Sequence, residues 1–139
     1  MKCAMELTAI ALNKAEEIAQ EIALRKAQEK QKQLEYTTAF CEKLGVELEA
    51  VANRGKKPEV EFRCSNSYRV LKSTYSHYAD HRLSYEFDGS TALDFEFMSA
   101  WFEHYCFEVK KREVYYWQYG WGECRGFDVV ITPKPQCLE

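Results

Sequence analysis

From Ala4 to Leu44 the chain contains neither glycine nor proline, and Ala, Leu, Glu, Lys and Gln dominate the stretch. These residues lose least on entering a helix, so the pattern predicts one long helix, with Gly45 as its C-terminal stop. About forty helical residues rise through roughly 60 Å, whereas a compact domain of this chain's length has a radius of gyration of about 14 Å. Such a helix must project, bend or break. The segment Arg25 to Gln33 offers only Ala27 as an apolar side chain and cannot bury a continuous face. It reads as a solvated helical bridge, or as the place where the helix breaks in two.

The apolar positions before that segment then need cover. Leu7 and Ile10 are three apart and Ile18 and Ile22 four apart, so each pair lies on one helical face. Lys14 and Glu17 interrupt the seam that a heptad would continue, which argues against a long coiled coil. The expectation is a homodimer through this short helical stripe, or its docking on a partner. The competing reading folds the helix back onto its own sheet.

Composition changes near Pro58. Residues 1–58 hold ten of the 13 alanines and only two aromatics, Tyr36 and Phe40, while the remaining 81 residues hold the other 18. Helical material therefore precedes strand material. Val46 to Ala50 alternates apolar with polar residues, Asn53 to Pro58 supplies turn chemistry, and Val60 to Cys64 alternates again, a hairpin signature. Further strands are expected at Tyr68–Leu71, Leu83–Phe87, Val109–Tyr119 and Phe127–Thr132, the last two joined by a wide loop from Gly120 to Gly126. Residues 92–107 recur both every two and every four positions. Their length favours a helix, capped by Ser90 or Thr91.

The predicted fold is α+β. A long N-terminal helix (1–44, with a break allowed at 25–33) is followed by a body (45–137) with an antiparallel sheet of about five or six strands and one short covering helix. Leu138 and Glu139 read as a cloning scar.

No run approaches 18 apolar residues, so no membrane span is expected. The early apolar stretch is broken by Glu6 and Asn13, unlike a secretory signal, which points to a cytoplasmic protein. Six cysteines without a CxxC pair then read as free thiols, mostly buried.

Catalytic and metal motifs are weak. His77, Asp80 and His81 have helical ligand spacing but no third histidine or paired cysteine beside them, so no metal site is expected. Glu108-Val-Lys110, with Asp94 or Asp88 as an earlier carboxylate, has the form used by metal-dependent nucleases, but a three-residue pattern arises by chance very often. His104 reads as a packed or capping histidine. The glycines at 120, 122 and 126 lie between strands, not before a helix, so the phosphate-loop context is missing. No cofactor is expected, and the reading is non-enzymatic.

Tyr115, Trp117 and Tyr119 fall on one face of a predicted strand, with Trp121 just beyond and basic residues near the strand's ends. Such a platform suits the stacking of single-stranded bases. The surrounding charge argues otherwise. Between Arg82 and Lys110 there are six acids (Glu86, Asp88, Asp94, Glu96, Glu103, Glu108) and no base, and residues 59–139 carry 13 acids against nine bases. A phosphate backbone is repelled by such a surface, whereas a protein with a basic surface is attracted. Tyr and Trp are favoured interface anchors. The expected partner-binding set is therefore Glu86, Asp88, Asp94, Glu96, Tyr115, Trp117, Tyr119 and Trp121. A small acidic module of this kind suits a phage or mobile-element inhibitor of a nucleic-acid enzyme, such as an anti-CRISPR protein. Single-stranded nucleic-acid binding is the alternative, and a metal-dependent nuclease a further one.

Overall fold

The computed structural model describes residues 1–71, 91–118 and 120–137. Helix α1 (Ala4–Asn53) is followed by strand β1 (Val60–Ser65), helix α2 (Phe95–His104), strands β2 (Phe107–Gln118) and β3 (Gly122–Pro133), and a short 3-10 turn at Pro135–Cys137. The chain divides into two compact units, Met1–Lys32 and Gln33–Glu139.

In the first unit every residue is exposed, including the stripe Leu7, Ile10, Ile18 and Ile22. Helicity there rests on local propensity alone. The segment 25–33 is helical throughout, without a break.

In the second unit α1 carries a buried stripe, Thr37, Phe40, Cys41, Leu44, Leu48 and Val51, whose spacing of three and four keeps it on one face. This stripe explains why α1 runs through Gly45 and absorbs the strand expected at 46–50. A glycine inside a helix costs about 1 kcal/mol relative to alanine, whereas burying Leu48 and Val51 contributes about 1.5–3 kcal/mol each. The helix stops instead at the next glycine. Gly55 takes φ +75°, and the N–H groups of Arg54 and Lys56 both donate to Val51 O, at 3.2 and 3.3 Å, which satisfies the final carbonyls.

The buried stripe packs with Val60, Phe62 and Cys64 of β1 and Val129 and Ile131 of β3 in one core, which Leu93, Met98 and Phe102 complete from α2 and its lead-in. Phe40 meets Phe62 edge to face, with centroids 5.0 Å apart. Helix α2 forms where the sequence predicts a helix, but its cap is Asp94, not Ser90 or Thr91. The Phe97 N–H donates to Asp94 Oδ1 at 3.1 Å, and the Asp94 N–H donates to Thr37 Oγ1 at 3.0 Å. One buried threonine of α1 thus fixes where α2 begins.

The described sheet is antiparallel with three strands in the order β1-β3-β2, fewer than the five or six expected. Residues 46–50 belong to α1, and Tyr68–Leu71 contributes only the isolated bridge Cys64↔Val70. The strand expected at 83–87 lies outside the described residues. The loop between β2 and β3 is also much shorter than expected, because pairing runs to Gln118↔Gly122. Gly120, at φ +83°, makes the tight reversal.

Candidate functional site

Among the described residues strand β3 is paired on both sides only as far as Ser65↔Gly126. Beyond it the β2–β3 hairpin continues as a two-stranded ribbon from Tyr115↔Arg125 to Gln118↔Gly122. Gly126 marks this border, because a Cβ there would lie 2.3 Å from the backbone oxygen of Cys64 and 2.8 Å from the Tyr116 ring.

Pairing in register places Val109, Lys111, Glu113, Tyr115 and Trp117 on one face with Ile131, Val129, Phe127, Arg125 and Glu123. The same face is therefore core at one end and solvent at the other. Along it Ile131 and Val129 are fully buried, while Tyr115 is 61% exposed and Trp117 78%; Trp121, in the turn, is 79% exposed. Arg125 steadies this end. Its guanidinium lies 5.8 Å from the Tyr115 ring centroid, and its Nε donates to Glu113 Oε1 at 2.9 Å. That hydrogen bond, together with the carboxylate charge, raises the Arg125 pKa.

The basic residues of the hairpin are engaged. Lys110 pairs with Glu108 at 3.6 Å. Lys111 donates to Tyr68 Oη at 2.7 Å, and its Nζ lies 4.8–5.1 Å from the centroids of Tyr68, Phe95 and Phe127, a cation–π arrangement. On the opposite face the buried Asp128 carboxylate accepts from Arg63 Nε at 2.7 Å and from Arg112 at 3.3 Å. The hydrogen bond that Arg63 donates to Asp128 raises the Arg63 pKa against the opposing effect of desolvation.

The expected binding residues separate. Tyr115, Trp117 and Trp121 share the exposed hairpin end. Glu96 is exposed on α2, whereas Asp94 is committed to capping that helix. Glu86, Asp88 and Tyr119 lie outside the described residues, as do His77, Asp80 and His81. Glu108 and Lys110 pair with each other. Among the described residues no three His, Cys, Asp or Glu side chains converge as a metal site. Nor is any described helix long and apolar enough to cross a membrane. His104 is exposed, edge-on to Tyr105 at 5.2 Å.

The cysteines are less buried than expected. Cys41 and Cys64 are buried, but Cys3 and Cys106 are exposed and Cys124 is half-buried. Burial pushes the Cys41 thiol up to about 12, helped by the Glu42 charge, and the Cys64 thiol up to about 11, helped by Asp128.

Sequence reasoning missed the Arg63–Asp128–Arg112 cluster and the ring cage around Lys111. A signal for the first was present, since Asp128 interrupts the apolar run Phe127 to Ile131 and a carboxylate in such a run requires a cation. The cage joins Tyr68, Phe95 and Lys111 across long sequence separations and left no local trace.

No family model matches the chain, and neither a curated protein nor a solved structure matches it.

Proposed function

We propose that this protein is a non-enzymatic protein-binding module whose contact element is the aromatic end of the β2–β3 hairpin. The observation that carries the reading is the exposure of Tyr115, Trp117 and Trp121 together on a hydrogen-bonded ribbon. Large aromatics held on a regular ladder have little conformational entropy left to lose, which is what an interface anchor requires. The ion pairing of the hairpin supports a protein over a nucleic acid. Lys110 and Arg125 are paired with Glu108 and Glu113, Arg112 shares Asp128 with Arg63, and Lys111 is held among three rings. Phosphate binding depends on cations free to displace counterions.

The partner we propose carries a basic surface. Glu123 stands opposite Trp117, and Glu96 and Glu103 are exposed on α2, so carboxylates accompany the aromatics and steer a positive patch toward them. Inhibition of a nucleic-acid enzyme is the form of this function that best suits a small acidic chain, because such enzymes present basic grooves to their substrates.

The test is affinity capture from the native host with the full chain, run beside Trp117→Ala and Trp121→Ala. We expect a basic protein retained by the unaltered chain and lost from both variants. A salt-dependent shift of single-stranded DNA or RNA, abolished by Trp117→Ala, would establish nucleic-acid binding in its place.

A further inference from the structure

A second apolar surface lies away from the hairpin end. Between α1 and the end of α2 runs a groove of about 640 Å³, lined by Cys41, Gly45, Leu48 and Ala52 on one side and Trp101 and Tyr105 on the other, with Glu42 and Glu49 also on its α1 wall. Along its α1 wall, Cys41, Gly45, Leu48 and Ala52 follow helical spacing of four, three and four, three of them small, with Val46 beside them. Gly45 is the informative one. No heavy atom of the described residues lies within 4 Å of where its Cβ would stand, so nothing among them requires a glycine there, although it weakens the helix by about 1 kcal/mol relative to alanine. A missing side chain on an open helical face lets another backbone approach closely.

The groove offers few groups that could orient a small molecule. Cys41 is fully buried, and the only charged side chains are the two carboxylates, whereas small-molecule sites combine apolar walls with several converging polar groups. Apolar walls with small residues on one side suit an amphipathic helix.

The same chain carries one. Leu7, Ile10, Ile18 and Ile22 are all about half exposed, and at 3.6 residues per turn they fall, with Lys14 and Arg25, within about a third of the helix circumference. The stripe is thus apolar, with two bases, Lys14 and Arg25, against one acid, Glu21, in the same arc, and the groove is apolar with two acidic side chains along it. None of the ion pairs formed among the described residues engages Glu42, Glu49 or Arg25, and Lys14 makes only an exposed pair with Glu17 at 3.5 Å.

We propose that this groove receives the Leu7–Ile22 stripe of a second copy of the chain, with Lys14 and Arg25 meeting the acidic side chains of the groove. Each copy then supplies a helix and a receptor, and two unlike surfaces of one chain cover each other. This goes beyond the hairpin reading and does not depend on it.

Light-scattering mass of the full chain tests the proposal, measured from dilute solution to the highest soluble concentration. The unaltered chain should reach at least twice the chain mass and dissociate on dilution. The double variant Ile18→Asp/Ile22→Asp, altered on an exposed face, should stay at the chain mass. Gly45→Leu should do the same by filling the groove, while keeping its helical circular dichroism and melting no lower than the unaltered chain. A mass equal to one chain at every concentration overturns the proposal. So does a dimer lost in Ile18→Asp/Ile22→Asp but retained in Gly45→Leu, since the helices would then pair with each other. A dimer lost on Trp117→Ala would put the hairpin end in the groove and overturn it as well.

Discussion

The two ends of the β2–β3 hairpin are built from the same ladder and the same alternation, yet they do opposite things. At the Phe107↔Pro133 end, flanked by β1, the inward face buries Val129 and Ile131 against Phe62 and the Phe40–Leu48 stripe. Past Gly126, where β1 stops, the same face presents Tyr115 and Trp117 to solvent. Strand propensity does not distinguish these ends, because aromatic and β-branched residues both favour strands. What differs is whether a third strand and a helix lie on the face. An aromatic at the covered end adds stability, and one at the free end is available for binding.

The largest expected effect sits at the covered end. Ile131→Ala removes a fully buried side chain and should cost about 3–4 kcal/mol of unfolding free energy in urea titration. Trp117→Ala, although it deletes a larger side chain, should stay within about 0.5 kcal/mol. Comparable losses for the two would break the comparison.

Next comes the border. Gly126→Ala pushes a methyl group against the Cys64 carbonyl of β1, which is backbone and cannot swing aside. About 2–3 kcal/mol should be lost, and faster hydrogen exchange should concentrate at the β1–β3 pairs beside Ser65. Exchange that accelerates only in the 115–118 ribbon would move the border elsewhere.

Asp128→Ala tests the opposite face. It leaves the partly buried Arg63 and the more exposed Arg112 without their shared carboxylate, and about 1–3 kcal/mol should go. If Asp128→Asn retains most of the stability, hydrogen bonding dominates there and charge is secondary.

The last expected effect is a pH dependence. The Cys64 thiol, opposite Phe127 at the covered end, is held at about 11 in the folded chain against 9.0 for a free thiol. The folded state therefore binds more protons above pH 9. Its contribution is complete below about 9 and is lost as pH rises toward 11, with a slope of at most about 1.4 kcal/mol per pH unit. Cys41, held at about 12, acts in the same direction. Urea midpoints measured between pH 8 and 10.5 should fall, and Cys64→Ala should reduce the slope. In the native state a thiol reagent should modify the exposed Cys3 and Cys106 well before Cys41 and Cys64.

Local residue chemistry alone made several features legible. The absence of glycine and proline from Ala4 to Leu44 gives the long helix, the length of 92–107, whose periodicity alone fits helix and strand equally, gives α2, and the alternation about Tyr115 and Trp117 gives an aromatic strand face. The candidate site was legible to that extent, as a set of aromatics sharing one side. Its acidic part was not, because the Asp94 carboxylate is taken by the Phe97 N–H as a helix cap, and α2 starts there with Thr37, 57 residues earlier, accepting the Asp94 N–H.

The sequence by itself determined that a long helix precedes a short helix and antiparallel strands, 46–50 and 68–71 excepted, and which side chains share a face, because propensity and periodicity act over neighbours three or four residues apart. Only the tertiary structure decided where those faces end. Gly45 and Gly55 are equally good stops by local rules, and α1 passes the first because Leu48 joins the core with the sheet and Val51 is buried beyond it. Val129 and Trp117 are equally at home in a strand, and the length of β1 separates core from exposed surface. Burial depends on what arrives from distant parts of the chain, and local composition carries no record of that.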